Sequence, residues 1–137
     1  MSTSEAKDLV SLLAERSNAW QGLWTLFYTV SAATITLIAS GKFMPKYRVH
    51  ASILAAVLFL LFAGSNYMAL EEVRKQRVAV VEFVKEKADG SPPIIAVAAA
   101  GVPPGCTQLK SYYWGICAFV VVLLWAIPAF QKQSTDG

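Results

Sequence analysis

Apolar residues in this chain are bunched in blocks, and three of the blocks contain no Asp, Glu, Lys, Arg or His: residues 20–40, 51–70 and 111–130. Each is about 20 residues, or roughly 30 Å as a helix, which matches the hydrocarbon thickness of a bilayer. In lipid every backbone amide needs an internal partner, so blocks of this kind are predicted to be helices. The competing reading is three buried core helices of a soluble domain. It leaves too few polar residues to cover such a core. The pattern therefore predicts an all-α integral membrane protein with three transmembrane helices.

The ends of the blocks carry residues that favour the lipid–water boundary. Trp20, Trp24 and Tyr28 open the first, and Lys42, Lys46, Tyr47 and Arg48 fill the loop after it. Tyr67 precedes Glu71 at the end of the second. The third opens on Tyr112, Tyr113 and Trp114 and closes on Trp125, Phe130 and Lys132. Rings with a polar edge settle at headgroup level and lysines snorkel there, so Trp20, Trp24, Tyr47, Tyr112, Tyr113, Trp114 and Trp125 are expected to be interfacial anchors. The first block also competes as a cleaved signal sequence. Its leader is mixed in charge, its apolar run is too long, and no small-x-small cleavage site follows, so it reads as a retained anchor. Neither terminus carries a lipidation signal.

Between the blocks the periodicity changes. Residues 2–5 read Ser-Thr-Ser-Glu, a capping box between Ser2 and Glu5, and Leu9, Leu12, Leu13, Arg16 and Trp20 follow at helical spacing. Residues 1–19 are thus predicted to be an amphipathic helix that packs on a neighbouring helix or lies on the membrane surface. Asp8 and Glu15 dilute its basic face and weaken the second option. After the second block no Gly or Pro occurs before Gly90, so a helix from about Val49 to Ala88 is expected. Its part beyond the membrane, 71–88, would be about 18 residues and ~27 Å long. Glu71 and Lys75 support it at i,i+4, Glu82 and Glu86 oppose it slightly, and Val73, Val80, Val81, Val84 and Ala88 form one apolar face. A hairpin over 78–98 is the rival, because Val78–Val84 is rich in strand formers, though an isolated hairpin is marginal. Residues 89–110 form a Pro/Gly-rich connector, whose run Ile94–Ala100 is too short to span. It is expected to be a packed connector, or else a re-entrant loop. Residues 131–137 are a polar tail.

Composition sharpens this picture. Of 137 residues, 55 % are apolar and only 15 % charged, well below the usual charged share. That excludes a disordered chain, a nucleic-acid-binding tail and an ordinary soluble enzyme domain. The net charge of +3 is too small to imply a polyanionic partner. Lys7, Arg16, Arg74, Lys75, Arg77, Lys85, Lys87 and Lys110 fall on one side of a three-span topology, against Lys42, Lys46, Arg48 and Lys132 on the other. Eight against four favours a cytoplasmic N-terminus, although the short 41–50 loop is the denser in positive charge.

Candidate chemistry is thin. His50 is the single histidine and sits beside the membrane edge, where an anchor or cap is its ordinary role. A metal or haem held through His50 across an oligomer is the alternative cofactor reading. Cys106 and Cys117 lie about 16 Å apart along a helix, too far for a disulfide. The blocks contain no phosphate loop, paired carboxylates or nucleophile elbow, and no ionisable group of the kind a proton- or ion-coupled transporter keeps at midplane. The chain is therefore expected not to be an enzyme and to need no cofactor.

Small and hydroxylated residues do recur. Thr25, Thr29 and Ala33 recur at i,i+4 in the first block, followed by Ala32, Thr36 and Ser40; Ser52, Ala56, Ala63, Gly64, Ser65 and Asn66 mark the second. Gly115, Ala118 and Pro128 mark the third, and Pro128 removes the helical donor of the Leu124 carbonyl and is expected to bend the helix. Thr25, Thr29, Thr36, Ser40, Ser65 and Asn66 are the candidate packing or pore-lining residues. The expected function is a non-catalytic structural or accessory subunit of a multi-subunit membrane complex, with lipid and other subunits or copies of itself as partners and no nucleic acid. A homo-oligomeric pore lined by these hydroxyl and amide groups is the alternative.

Overall fold

A computed structural model describes residues 3–42, 45–87 and 103–133 of the chain. Three long helices carry the three apolar blocks: α1 (Thr3–Ala39), α2 (Arg48–Lys87) and α3 (Cys106–Gln133), with a short 3-10 turn, Pro45–Tyr47, ahead of α2. All three are long and apolar enough to cross a membrane. Helix α1 stops where Gly41 takes a left-handed backbone (φ 62°), which directs the Gly41 amide to the Ile38 carbonyl. A side chain there would clash with its own backbone, so glycine ends the helix cleanly.

Helix α2 continues well beyond its apolar block, as its lack of breakers predicts. Lys75 reaches Glu71 at 4.0 Å and the Gln76 amide donates to Glu72 at 3.2 Å, both across one helical turn. Such exposed pairs each contribute only about 0.3–0.5 kcal/mol, so continuity owes more to packing. No strand occurs among the described residues, and Val78–Lys87 is helical, which removes the first arm of the hairpin. Ser2 of the capping box, Ala88, and the run Ile94–Ala100 lie outside the described residues.

The chain forms two compact units. One comprises Met1–Trp24 and Met68–Cys106. Here Leu13 of α1 is buried with Val81 and Val84 of α2, and Leu9 and Val80 pack around them. The Arg77 guanidinium lies 5.7 Å from the centre of the Trp20 ring, which in turn meets Trp24 edge-on at 6.4 Å. The amphipathic faces expected in residues 1–19 and 71–88 thus cover each other, and the stripe of α1 is a packing face. Leu13→Ala should cost about 2 kcal/mol, at the low end for a core leucine because a two-helix contact relaxes readily. Faster amide exchange confined to Thr3–Trp20 and Val78–Lys87, measured by mass spectrometry, would register it.

The second unit comprises Thr25–Tyr67 and Thr107–Gly137. Its core is Phe27, Ser31 and Ile38 of α1, Ser52, Ala56, Phe59, Ala63 and Asn66 of α2, and Leu109, Tyr113, Cys117, Val120 and Leu124 of α3. On α2 the buried positions step by four, three, four and three residues, the 3.5-residue repeat of helices that stay side by side. Three of those five α2 positions are Ser or Ala, which lets backbones approach closely. The outward faces carry Leu26, Leu37, Leu54, Leu58, Leu61 and Phe119, all exposed. Polar groups inside and aliphatic groups outside is the reverse of a water-soluble bundle.

Candidate functional site

The chemistry-bearing side chains of the second unit gather along the contact between α2 and α3. Ser52 donates its hydroxyl hydrogen to the Leu124 carbonyl at 2.9 Å. That carbonyl is the one Pro128 deprives of its helical N–H, four residues on in α3. A donor from the neighbouring helix replaces the missing backbone donor, the usual way a membrane helix tolerates proline. The cost of an orphaned carbonyl in an apolar surround is thereby removed.

At the other end of the same contact, the Asn66 amide donates to the Tyr113 hydroxyl at 3.2 Å, and that hydroxyl donates to the Ala63 carbonyl at 2.8 Å. Ser52 to Ala63 on α2 and Tyr113 to Leu124 on α3 are steps of equal length, so the two helices run antiparallel with no slip between the bonds. The two sites stand about 16 Å apart along the helix axes. The Tyr113 ring is fully buried and meets Phe27 at 4.5 Å, Tyr67 at 5.3 Å and Trp114 at 5.9 Å between ring centres. Tyr113 is thus a core side chain joining all three helices of the unit, although its sequence neighbours place it among the interfacial aromatics. Asn66, 5 % exposed, keeps its Oδ1 buried and without a hydrogen-bond partner.

The other candidate residues stand differently. Thr25, Thr29, Thr36, Ser40 and Ser65 are exposed on the chain's surface, apart from the seam that holds Asn66. The hydroxyls of Thr29 and Thr36 donate to the carbonyls of Thr25 and Ala32 one turn back, and Ser40 does the same toward Leu37. The buried hydroxyl of α1 is Ser31, which bonds the Phe27 carbonyl at 2.7 Å; the sequence carries no mark that separates it from the exposed threonines. Among the anchors, Tyr47, Tyr112, Trp114 and Trp125 are exposed, while Trp20 and Trp24 are half-buried.

His50 is exposed at the first turn of α2, Cys106 is an exposed free thiol and Cys117 a buried one. Among the described residues no three His, Cys, Asp or Glu side chains come together as a metal site. Beside the Ser52–Leu124 bond an apolar groove of about 190 Å³ opens between α2 and α3, walled by Val49, Ile53, Trp125, Pro128 and Ala129. No family model matches this chain, and no curated protein or solved structure does.

Proposed function

We propose that this chain is a non-catalytic, multi-pass integral membrane protein that serves as a structural or accessory subunit of a larger membrane complex, with its N-terminus on the cytoplasmic side. The observation supporting it is the use made of the polar groups within the apolar helices. Ser52, Asn66 and Tyr113 are engaged in joining α2 to α3, and Ser31, Thr29 and Thr36 bond their own helix. Groups so engaged hold helices together and leave little for turnover or transport. The broad exposed apolar faces of the helices remain for lipid and for other subunits.

A homo-oligomeric pore is the second reading, and one observation favours it. Thr25, Thr29, Thr36 and Ser40 lie exposed along α1, where several copies could turn them toward a common path. A path through a single copy is disfavoured, because the fully buried side chains of Phe27, Tyr113 and Leu124 occupy the interior of the second unit.

Native mass spectrometry of the complex extracted gently from its own membrane separates the two. The accessory reading expects a few 14.9 kDa chains bound to larger, different subunits. A closed ring of identical chains would overturn it in favour of the pore. In that case Thr29→Leu with Thr36→Leu should abolish conductance while leaving the ring assembled, since both residues are remote from the chain's own seam.

A further inference from the structure

We infer that the Asn66 side chain binds one buried water molecule at the contact between α2 and α3, and that this water donates a hydrogen bond to the Asn66 Oδ1. The inference rests on the chain lying in a bilayer, but not on which complex it joins.

Three observations carry it. First, the Asn66 side chain is 5 % exposed, and its Oδ1 is buried with no hydrogen-bond partner while its amide donates to the Tyr113 hydroxyl. An amide oxygen left unpaired in an apolar surround bears the full cost of losing its hydration. A water that bridges buried polar groups bonds almost as well as a direct partner, and holding it costs less than leaving the oxygen bare.

Second, the other donors buried in this unit are committed elsewhere. The Tyr113 hydroxyl gives its single hydrogen to the Ala63 carbonyl, Ser31 gives its own to Phe27, and Ser52 gives its own to Leu124. The Cys117 thiol, one turn beyond Tyr113, is a weak donor and makes no bond to Oδ1. Oδ1 is itself covered, so a donor on another subunit's helix reaches it only by opening the contact. Water is the donor small enough to enter. Its second hydrogen has an acceptor on the turn before Asn66, because each backbone carbonyl carries two lone pairs.

Third, the site lies close to a supply of water. Asn66 stands five residues before Glu71 and Tyr113 three after Lys110, or ~7.5 Å and ~4.5 Å along their helices from the first charged side chain. Ser65 and Met68, on either side of Asn66 in α2, are exposed.

The test uses the full chain in phospholipid bilayers, with isotope-labelled asparagine and cysteine, and follows magnetisation transfer from water protons by solid-state NMR. The chain has two residues of each kind, so every signal has a counterpart. Asn18 and Cys106 are exposed, whereas Cys117 is buried in the same seam as Asn66 and its backbone amide lies inside α3. Asn18→Gln leaves Asn66 as the sole asparagine and assigns its side-chain amide. That amide is expected to receive water magnetisation several-fold faster than the Cys117 backbone amide. In heavy water it should exchange several-fold more slowly than the Asn18 side-chain amide, since the molecule beside it is held. Transfer to Asn66 no faster than to Cys117 would show a dry site and overturn the inference. Exchange at Asn66 as fast as at Asn18 would overturn it as well, by showing open solvent in place of a bound molecule. Failure of the chain to insert into bilayers would overturn the membrane reading and this inference with it, a result seen before any spectrum is taken.

Discussion

Tyr113→Ala is expected to be the most damaging single substitution in the second unit, costing about 3 kcal/mol in reversible unfolding from mixed micelles. The ring is fully buried and touches the rings of Phe27, Tyr67 and Trp114, so truncation leaves a cavity bordered by all three helices. Lipid tails are as apolar as a helix interior, so little of this cost is hydrophobic transfer. Lost dispersion contacts account for most of it. Tyr113→Phe isolates the hydroxyl. It keeps the ring but strands the Asn66 amide hydrogen in an apolar surround, and about 1 kcal/mol is expected. Asn66→Leu in the Tyr113→Phe background should recover part of that loss, because both polar partners are then gone. A Phe substitution as costly as Ala would show that the hydroxyl relay, and not the ring, carries the contact.

The second large effect concerns Ser52 and Pro128, which act as one device. Ser52→Ala should cost about 1–1.5 kcal/mol, since it leaves the Leu124 carbonyl with neither its helical donor nor its substitute. In the Pro128→Ala background the same change should cost close to nothing, because residue 128 then supplies the backbone N–H itself. The double-mutant cycle reads the coupling directly. Equal costs for Ser52→Ala in both backgrounds would show that the bond is incidental to the proline. The coupling explains why a proline can stand inside α3 without breaking it: its local penalty is met from a helix 72 residues away in sequence.

These two sites show how unevenly the protein is written into its sequence. The orphaned Leu124 carbonyl follows from Pro128 alone, because the missing N–H is a covalent fact. The identity of its donor does not, because nothing local connects residue 52 to residue 124. Asn66 stands out at once, as an amide in an apolar block must find a partner, yet Tyr113 reads equally well as a boundary aromatic beside Tyr112 and Trp114. Its inward turn depends on which face of α3 meets α2. In α1 the ambiguity is complete. Thr25, Thr29 and Thr36 recur at helical spacing like an interface, but a threonine hydroxyl can satisfy itself on the carbonyl one turn back and so needs no neighbour. The stripe that packs runs through Phe27, Ser31 and Ile38.

Outside the apolar blocks the periodicity was easier to read. There water covers one face and protein the other, so Leu9 and Leu13 in α1 and Val80, Val81 and Val84 in α2 declare their buried sides by contrast with charged neighbours. Their pairing with each other had no local signal, and it covers apolar surface that the sequence would leave open for a partner.

By itself, then, the sequence determines the number of helices and the continuation of α2 to Lys87, because breakers and the need to satisfy every backbone amide act locally along the chain, whereas α3 starts at Cys106, inside the expected connector 89–110, and runs to Gln133, past its apolar block at both ends. Tertiary structure alone decides which faces turn inward within the apolar blocks. There both sides of each helix are apolar, so no contrast between wet and dry exists to be read, and the choice falls to side-chain fit and to hydrogen bonds between residues far apart, as at Ser52 with Leu124 and Asn66 with Tyr113.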